Sequence, residues 1–373
     1  MNKFKIILLR DYAEDYRHSM NVYGDNLLTN LRKYSTHENI KIGSYLPFFP
    51  GWLKKIFLNS TLIFRYARYV SYPWQVVKKS ADLFHILDQS YAHLLNFIYL
   101  KPGIVTVHDL IPILSWKGLI PGLTYPHFPR LFMLGIRSLK KASAIVAVSE
   151  STKNDLIIHC GIDPKKIFVI HNGIDPNFYP IKNTLELRRS LGFPGGDVTL
   201  VLITGIQKYK NHLTSVRAIE RLEKISKRTI QLIWLGGANY YPCPKLDEAI
   251  SKLNIKPILL GHVSVEDLNK IYNSVDYLLF PSWYEGFGWP PLEAMSCGLP
   301  VITSNVSSIP EIVGDAAITL SPDDFVGFAD AIQLLIDNPT LRNNYISKGY
   351  LNIKRFSWEN NSKKMLDLYK KFL

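Results

Sequence analysis

Cysteine is scarce in this chain. The three present, Cys160, Cys243 and Cys297, are scattered, odd in number and without CxxC spacing. That argues against a disulfide framework and a zinc site, and fits a reduced, cytosolic protein. No uninterrupted apolar run is long enough to span a bilayer. The opening Asn2-Lys-Phe-Lys-Ile-Ile-Leu-Leu-Arg10 is too short, and too soon followed by acids, for a signal peptide; it reads as a first strand. No short solenoid-type repeat appears. G-x-G-x-x-G follows the first strand of neither half, which makes a dinucleotide-dependent oxidoreductase the weakest reading.

What is present is a globular composition, 47% hydrophobic and 20% charged, in 373 residues, a length that favours two domains. The net charge of +13 is uneven: residues 1–180 carry 22 Lys and Arg against 12 Asp and Glu, a net +10. Residues 51–80 hold six basic residues and no acid, interleaved with Trp52, Phe57, Phe64, Tyr66, Tyr69, Tyr72 and Trp74. Such a segment suits peripheral contact with an anionic membrane, at its inner face for a cytoplasmic protein. A solvated basic face over a core helix explains it equally well. Nucleic acid ranks third, because no recognition motif accompanies the charge.

Along the chain, strands alternate with helices. Strands are expected at Lys5–Leu9, Ile40–Leu46, Leu83–Asp88, Ile104–His108, Ala144–Val148 and Lys166–His171, with helices at Asn21–Leu31 and Phe132–Leu139. Ser149 is placed to cap the helix after it. Asn172–Pro180 is dense in turn residues and marks a domain boundary. The second half repeats the alternation: strands at Val198–Thr204, Ile230–Leu235 and Pro257–Leu260, helices from Asn211 and, behind the cap Ser264, from Val265. A third strand–helix–strand unit spans Val275–Ile302, with Pro290 and Pro291 at the helix start and Gly298 at its stop. The tail from Ser357 is helical. The fold class is therefore α/β, built from two doubly wound domains: residues 1–180, residues 181–355, and a C-terminal helix in 356–373 packing back toward the first domain.

Ligands of such sheets sit beyond the carboxyl ends of the strands. In the second domain four features converge there. Gly205-Ile-Gln-Lys-Tyr-Lys-Asn211 combines a glycine that lets the backbone approach a ligand with Lys208 and Lys210 at a helix N-terminus, where phosphate binds. Gly236-Gly237 and Gly261 end neighbouring strands. Glu285 and Glu293 flank the loop and helix start of Pro281–Ile302. Together they suit a diphosphate with hydroxylated groups at both ends, although each alone is equally a turn, a solvated lysine or a capping carboxylate.

The stretch Tyr277-Leu-Leu-Phe-Pro-Ser-Trp-Tyr-Glu-Gly-Phe-Gly-Trp-Pro-Pro-Leu-Glu-Ala-Met-Ser-Cys-Gly-Leu-Pro-Val-Ile302 resembles the signature of retaining glycosyltransferases of family 4, with Glu285 and Glu293 on the E-x7-E motif. The likeness continues through Ser307-Ser-Ile-Pro-Glu-Ile-Val-Gly-Asp-Ala-Ala317, Leu260-Gly-His-Val-Ser, Tyr209-Lys-Asn-His212, Asn172-Gly-Ile-Asp175 and Val148-Ser-Glu-Ser-Thr-Lys153, over most of residues 100–373. It implies the GT-B fold, two Rossmann-like domains facing across a cleft. It also implies transfer from a nucleotide sugar, with a lean to GDP-mannose and UDP-sugars next, to a hydroxyl of a glycan or lipid-linked glycan. By the same resemblance Glu293 holds the ribose hydroxyls and Glu285 faces the donor sugar. Gly286, Phe287 and Gly288 present backbone N–H groups, Lys210 neutralises the diphosphate, and His262 and Val263 lie beside the base. His108 and Asp109 match the family's His-Asp pair. No metal or other cofactor is expected, and there is no Asp-x-Asp.

Two departures stand out. Ile206 and Gln207 occupy the place of the family's usual Arg, leaving Lys208 as its substitute. Asp11–Asn21 replaces the common Gly-Gly loop after the first strand, so Arg17, His18, Met20, Asn21 and Tyr23 are the acceptor-side candidates. A phosphorylase or synthase of the same fold acting on a soluble sugar, and a catalytically silent scaffold subunit, are the competing readings. Trp289 stands where the family more often has a smaller aliphatic residue.

Overall fold

The computed structural model describes residues 3–15, 17–36, 38–49, 61–98, 100–123, 130–240 and 243–373. The chain divides into two compact units, one of Met1–Trp116, Tyr125–Gly173 and Ser357–Leu373, the other of Lys117–Thr124 and Ile174–Phe356. The change of unit at Gly173 falls inside the turn-rich Asn172–Pro180 stretch.

The first unit is built on β1 (Phe4–Leu9), β2 (Ile40–Tyr45), β3 (Leu83–Ile86), β4 (Gly103–Val107), β5 (Ala144–Ala147) and β6 (Ile167–Val169), all parallel in the order β2-β1-β3-β4-β5-β6. β3, β4 and β5 are buried at every position, as sheet strands covered on both faces must be. Ser149 caps the helix Glu150–Cys160 by accepting from Thr152 N, and Gly161 ends it in the left-handed conformation. The C-terminal helix Trp358–Lys370 belongs to this unit. Its Tyr369 hydroxyl lies 2.6 Å from His85 Nδ1, and Glu359 accepts from Tyr34.

The second unit holds β7 (Val198–Thr204), β8 (Thr229–Leu235), β9 (Ile258–Leu260), β10 (Tyr277–Phe280), β11 (Val301–Ser304) and β12 (Ile318–Leu320), parallel in the order β12-β11-β10-β7-β8-β9. Helices His212–Ile225 and Phe325–Asp337, the latter with Phe328 and Ile332, cover one face over Val201, Ile203, Trp234 and Leu279. Both sheets reverse their strand order, at β1/β3 and at β7/β10. The loops leaving the two strands at such a reversal run to opposite faces and open a crevice between them.

Two expectations are corrected. The first helix spans His18–Tyr34, not Asn21–Leu31, so the loop after β1 ends at Arg17 and Met20 and Asn21 are already helical. Of the basic–aromatic 51–80 stretch, residues 51–60 lie outside the described residues. Within the remainder Arg68 turns inward to Asp15 and Ser90, with its guanidinium 4.1 Å from the Tyr91 ring centre, and so is not part of a solvated face.

The β7–β10 pair is locked at its amino end by Arg188. This buried guanidinium donates to Ser274 O, Val198 O and Asp276 Oδ2, and the same Asp276 oxygen accepts from Leu200 N. Arg188→Ala leaves two carbonyls and a carboxylate without their donor. It should cost about 3 kcal/mol in chemical denaturation of the second unit; an unchanged midpoint would show that the cluster contributes nothing.

Candidate functional site

The site grows from the β7/β10 reversal. After β7, Gly205 takes φ +83°, where L side chains are strained, and a Cβ there would come within 3.3 Å of the Lys210 side chain. Its carbonyl accepts from Trp234 Nε1 at 2.9 Å. After β10, Trp283 N donates to Tyr209 O, tying the two loops together. Across this seam Lys210 Nζ donates to Glu285 Oε1 at 2.7 Å; the two side chains are 11% and 10% exposed. The ammonium also lies 4.6 Å from the Phe280 ring centre, on an electron-rich face.

The Glu285 loop is held from behind. Glu285 N donates to Ser307 Oγ, while the Ser308 hydroxyl donates to the carbonyls of Glu285 and Phe287 at 2.9 and 2.8 Å. Gly288 has φ +103°, and an added Cβ would meet Ile309 Cδ1 at 2.9 Å, so only glycine turns this corner. Trp289 then opens the helix Trp289–Ser296, with Pro290 and Pro291 in its first turn, where no N–H is needed. Trp289 packs edge-on against Phe287, ring centres 6.3 Å apart, which gives this unexpected residue a place as a buttress of the loop.

One helical turn on, Glu293 has a different environment. Tyr272, buried on the helix Val265–Ser274, donates its hydroxyl to Glu293 Oε2 at 2.9 Å. Burial pushes the Glu293 carboxyl up to about 7, and nearby Asp175 adds to this; the Tyr272 hydrogen bond and Lys210 pull the other way. Beneath it, burial and Glu293 raise the Cys297 thiol to about 12, so this cysteine stays a thiol. The two motif glutamates thus differ in kind. Glu285 is ion-paired, and Glu293 is a carboxyl balanced near neutrality.

Of the remaining predicted donor residues, Gly286 and Phe287 are buried in the loop, and exposed His262 and half-buried Val263 follow β9 at the sheet edge. Lys208 does not join the Lys210–Glu285 pair. It lines a separate cavity of about 340 Å³ with Ile206, Trp234, Tyr240 and Trp283. Tyr272, Ser307 and Ser308 had no role in the sequence reading. Among the described residues no group of three His, Cys, Asp or Glu side chains converges on a possible metal position.

The first unit carries its own polar cluster at the β1/β3 reversal. Arg17, from the loop after β1, donates to Asp88 Oδ2 at 2.7 Å and to Ser90 Oγ at 3.1 Å. Burial opposes the Asp88 charge, but Arg17, His108 and hydrogen bonds from Ser90 outweigh it and hold the carboxyl below its usual range. Asp11 is buried with Oδ2 unpartnered, and burial together with Asp88 drives its carboxyl well up. His108 follows β4 with Nε2 2.8 Å from Leu87 O; burial lowers its pKa, while Asp88 pulls the other way. The Asp109 carboxylate accepts from Ile111 N.

Among the acceptor-side candidates Arg17 stands at this cluster, Met20 and Asn21 are half-buried on the first helix, and the His18 side chain lies outside the described residues. Tyr23 is corrected. It is 1% exposed, its hydroxyl is 3.1 Å from Thr106 Oγ1 and its ring packs edge-on at 4.7 Å from His108, so it supports the histidine from within the core and presents nothing to a ligand.

Comparison with known proteins places these features. A family model described as Glycosyltransferase Family 4 matches residues 31–178, and one described as Glycosyl transferases group 1 matches residues 183–352. O-antigen chain mannosyltransferase B of Escherichia coli is 42% identical over 111 residues, 30% of this chain and 29% of that protein. The serotype-specific mannosyltransferase WbdA of E. coli is 25% identical over 271 residues, 71% of this chain and 33% of the relative, so the matches span no more than about a third of these two mannosyltransferases. Alpha-maltose-1-phosphate synthase of Mycobacterium tuberculosis is 28% identical over 75% of each chain. Among solved structures, sucrose-phosphate synthase of Thermosynechococcus elongatus superposes with a TM-score of 0.76 at 17% identity over 99% of both chains. Anabaena Alr3699/HepE, in complex with UDP and glucose, gives 0.74 at 17% over 99% of this chain and all of that one. At such identities the likeness is one of fold.

The Glu293 environment has a measurable sign. Its folded pKa of about 7 lies above the ordinary 4.5, so the protonated carboxyl favours the folded state and that contribution fades as pH rises through about 7. Ligand-free wild type should therefore lose stability relative to Glu293→Gln between pH 5 and pH 8 in thermal melting. A constant difference between the two proteins would show that Glu293 titrates as an exposed carboxylate does.

Proposed function

Because the chain belongs to glycosyltransferase family 4 and has the two Rossmann-like domains of the GT-B fold, we propose that it transfers a sugar from a nucleotide-sugar donor to a hydroxyl of a glycan or lipid-linked glycan, with retention of configuration. The observation that carries this reading is the Lys210–Glu285 ion pair spanning the β7/β10 reversal, with the Glu293 carboxyl one helix turn beyond it. A lipid-linked acceptor would bring the enzyme to the inner face of a membrane.

In the proposed reaction the diphosphate displaces Glu285 from Lys210, and the backbone N–H groups of Gly286–Gly288 and the start of the Trp289 helix complete its cradle. Gly205 admits the diphosphate close to the backbone. The freed Glu285 accepts hydroxyl hydrogen bonds from the donor sugar, and Glu293, its proton released to solvent, accepts those of the ribose. His262 and Val263 border the base. As the bond from the anomeric carbon to the diphosphate breaks, negative charge grows on the departing oxygen and positive charge on the sugar ring. Lys210 and the oriented N–H groups meet the first without reorganising. The acceptor oxygen bonds to the anomeric carbon and its proton passes to the diphosphate, on the same face or through a short-lived ion pair. His108 and Asp109 are assigned to the acceptor and donor-sugar side, Arg17 to the acceptor. The reading invokes no metal ion.

A mannose donor, GDP-mannose first, is supported by the two E. coli mannosyltransferases among the relatives. A UDP-sugar comes next, as in the Anabaena neighbour with bound UDP-glucose. The maltose-1-phosphate synthase, matched over three quarters of both chains, favours a second reading: synthesis on a soluble sugar phosphate. Product analysis with soluble and lipid-linked acceptors separates the two.

Lys210→Ala should lower turnover by roughly 10- to 1000-fold. Glu293→Gln should weaken donor binding by about tenfold. Steady-state transfer kinetics and thermal shift with GDP-mannose and UDP-glucose measure both, and wild-type behaviour of the two variants would overturn the site.

A further inference from the structure

A helix on the surface of a domain normally turns its apolar side inward and its polar side to water. The segment Thr61–Tyr66, Ala67–Ser71 and Tyr72–Val77, two α-helical pieces joined by a π turn, is apolar on both sides. Ala67, Tyr72, Pro73 and Val76 are buried. On the outer side Leu62, Tyr66, Val70, Trp74 and Val77 are 70%, 55%, 41%, 68% and 56% exposed.

Those five residues follow one another at intervals of four, four, four and three. In a regular α-helix a step of four overshoots a full turn by roughly 40°. The wider π turn in the middle winds the chain back and keeps the line on one face. The stripe is about 22 Å long. Phe48, 68% exposed, lies beside it, because Gln75 bonds both the N–H and the carbonyl of Phe48 at 2.9 and 3.1 Å. A continuous outward row of large apolar residues is not what a water-facing surface carries.

The charge around the row has one sign. Residues 39–81 hold seven Lys and Arg and no Asp or Glu. Arg65 and Lys78 are exposed beside the row. Lys79 lies 4.0 Å from the ring centre of Tyr45, its stem on apolar surface. Arg68 is engaged inward. Tyr and Trp in an apolar line with cations at its margin is the composition of a helix lying in a lipid headgroup layer, where rings sit at the boundary and Lys and Arg meet anionic headgroups.

We propose that the outer face of residues 61–77, with Phe48, docks the protein onto an anionic lipid surface. The row inserts to a depth of about 5–10 Å, and Arg65, Lys78 and Lys79 contact lipid phosphates. This surface is separate from the donor site and does not depend on which sugar is transferred.

Co-sedimentation of the full chain with mixed phosphatidylcholine–phosphatidylglycerol vesicles, and with phosphatidylcholine alone, tests it. Wild type should pellet with the anionic vesicles and far less with the neutral ones. Leu62→Glu/Trp74→Glu should lower the partition coefficient by roughly tenfold or more, while thermal melting and nucleotide-induced thermal shift stay as in wild type. Arg65→Glu/Lys78→Glu should remove the preference for anionic lipid. The proposal fails if wild type ignores anionic vesicles, or if the double apolar variant binds them as wild type does. It also fails if that variant melts much lower or converts a dimer to a monomer, since another part of the chain or a second copy would then already cover the row.

Discussion

The 2.7 Å bond between Lys210 and Glu285 joins two loops that the strand order would otherwise send apart. Removing two charges from water is expensive, and a buried pair rarely stabilises a fold more than apolar packing of the same volume would. Its value here lies in what it holds ready. Lys210 sits against Phe280 with Glu285 as its acid partner, so the proposed diphosphate would meet a cation already fixed in place. The serines behind the loop, Ser307 and Ser308, take up the loop's own backbone groups. The Glu285 carboxylate is thereby left to respond to a ligand without the loop unravelling.

Glu293 shows how far two carboxylates of one motif can diverge. Glu285 faces a cation. Glu293 faces a phenol, a thiol and the charge of Asp175, and burial holds its proton until pH reaches about 7. The motif thus joins one ion-paired carboxylate to one whose charge depends on its surroundings. The first unit repeats the construction at its own reversal of strand order, where Arg17 from one loop meets Asp88 from the other. There the balance differs, because Asp11 adds a second buried carboxyl whose pKa burial and Asp88 drive well up.

The segment from Leu62 to Val77 is packed on its inner side as any core helix is, and its outer side has the pattern of a second burial that the described residues do not supply. The π turn keeps that row straight, and the charge around it is of one sign.

Much of this was legible from residue order, because it depends on near neighbours. The apolar runs that became β7 and β10, the caps Ser149 and Ser264, the proline start and Gly298 stop of the Trp289 helix, and the E-x7-E spacing are local patterns, and local patterns survive without a tertiary frame. What only the tertiary structure decided depends on strand order and on which way a side chain turns. Residue order does not say that β10 lies beside β7, so the Lys210–Glu285 bond, 75 positions apart in the chain, could not be read as a contact. Tyr272 looked like any core tyrosine until its hydroxyl was placed on Glu293. Tyr23 and Arg68 looked available to a ligand or to solvent, and packing turned both inward, because burying a ring or pairing a half-buried carboxylate outweighs whatever the local pattern suggests.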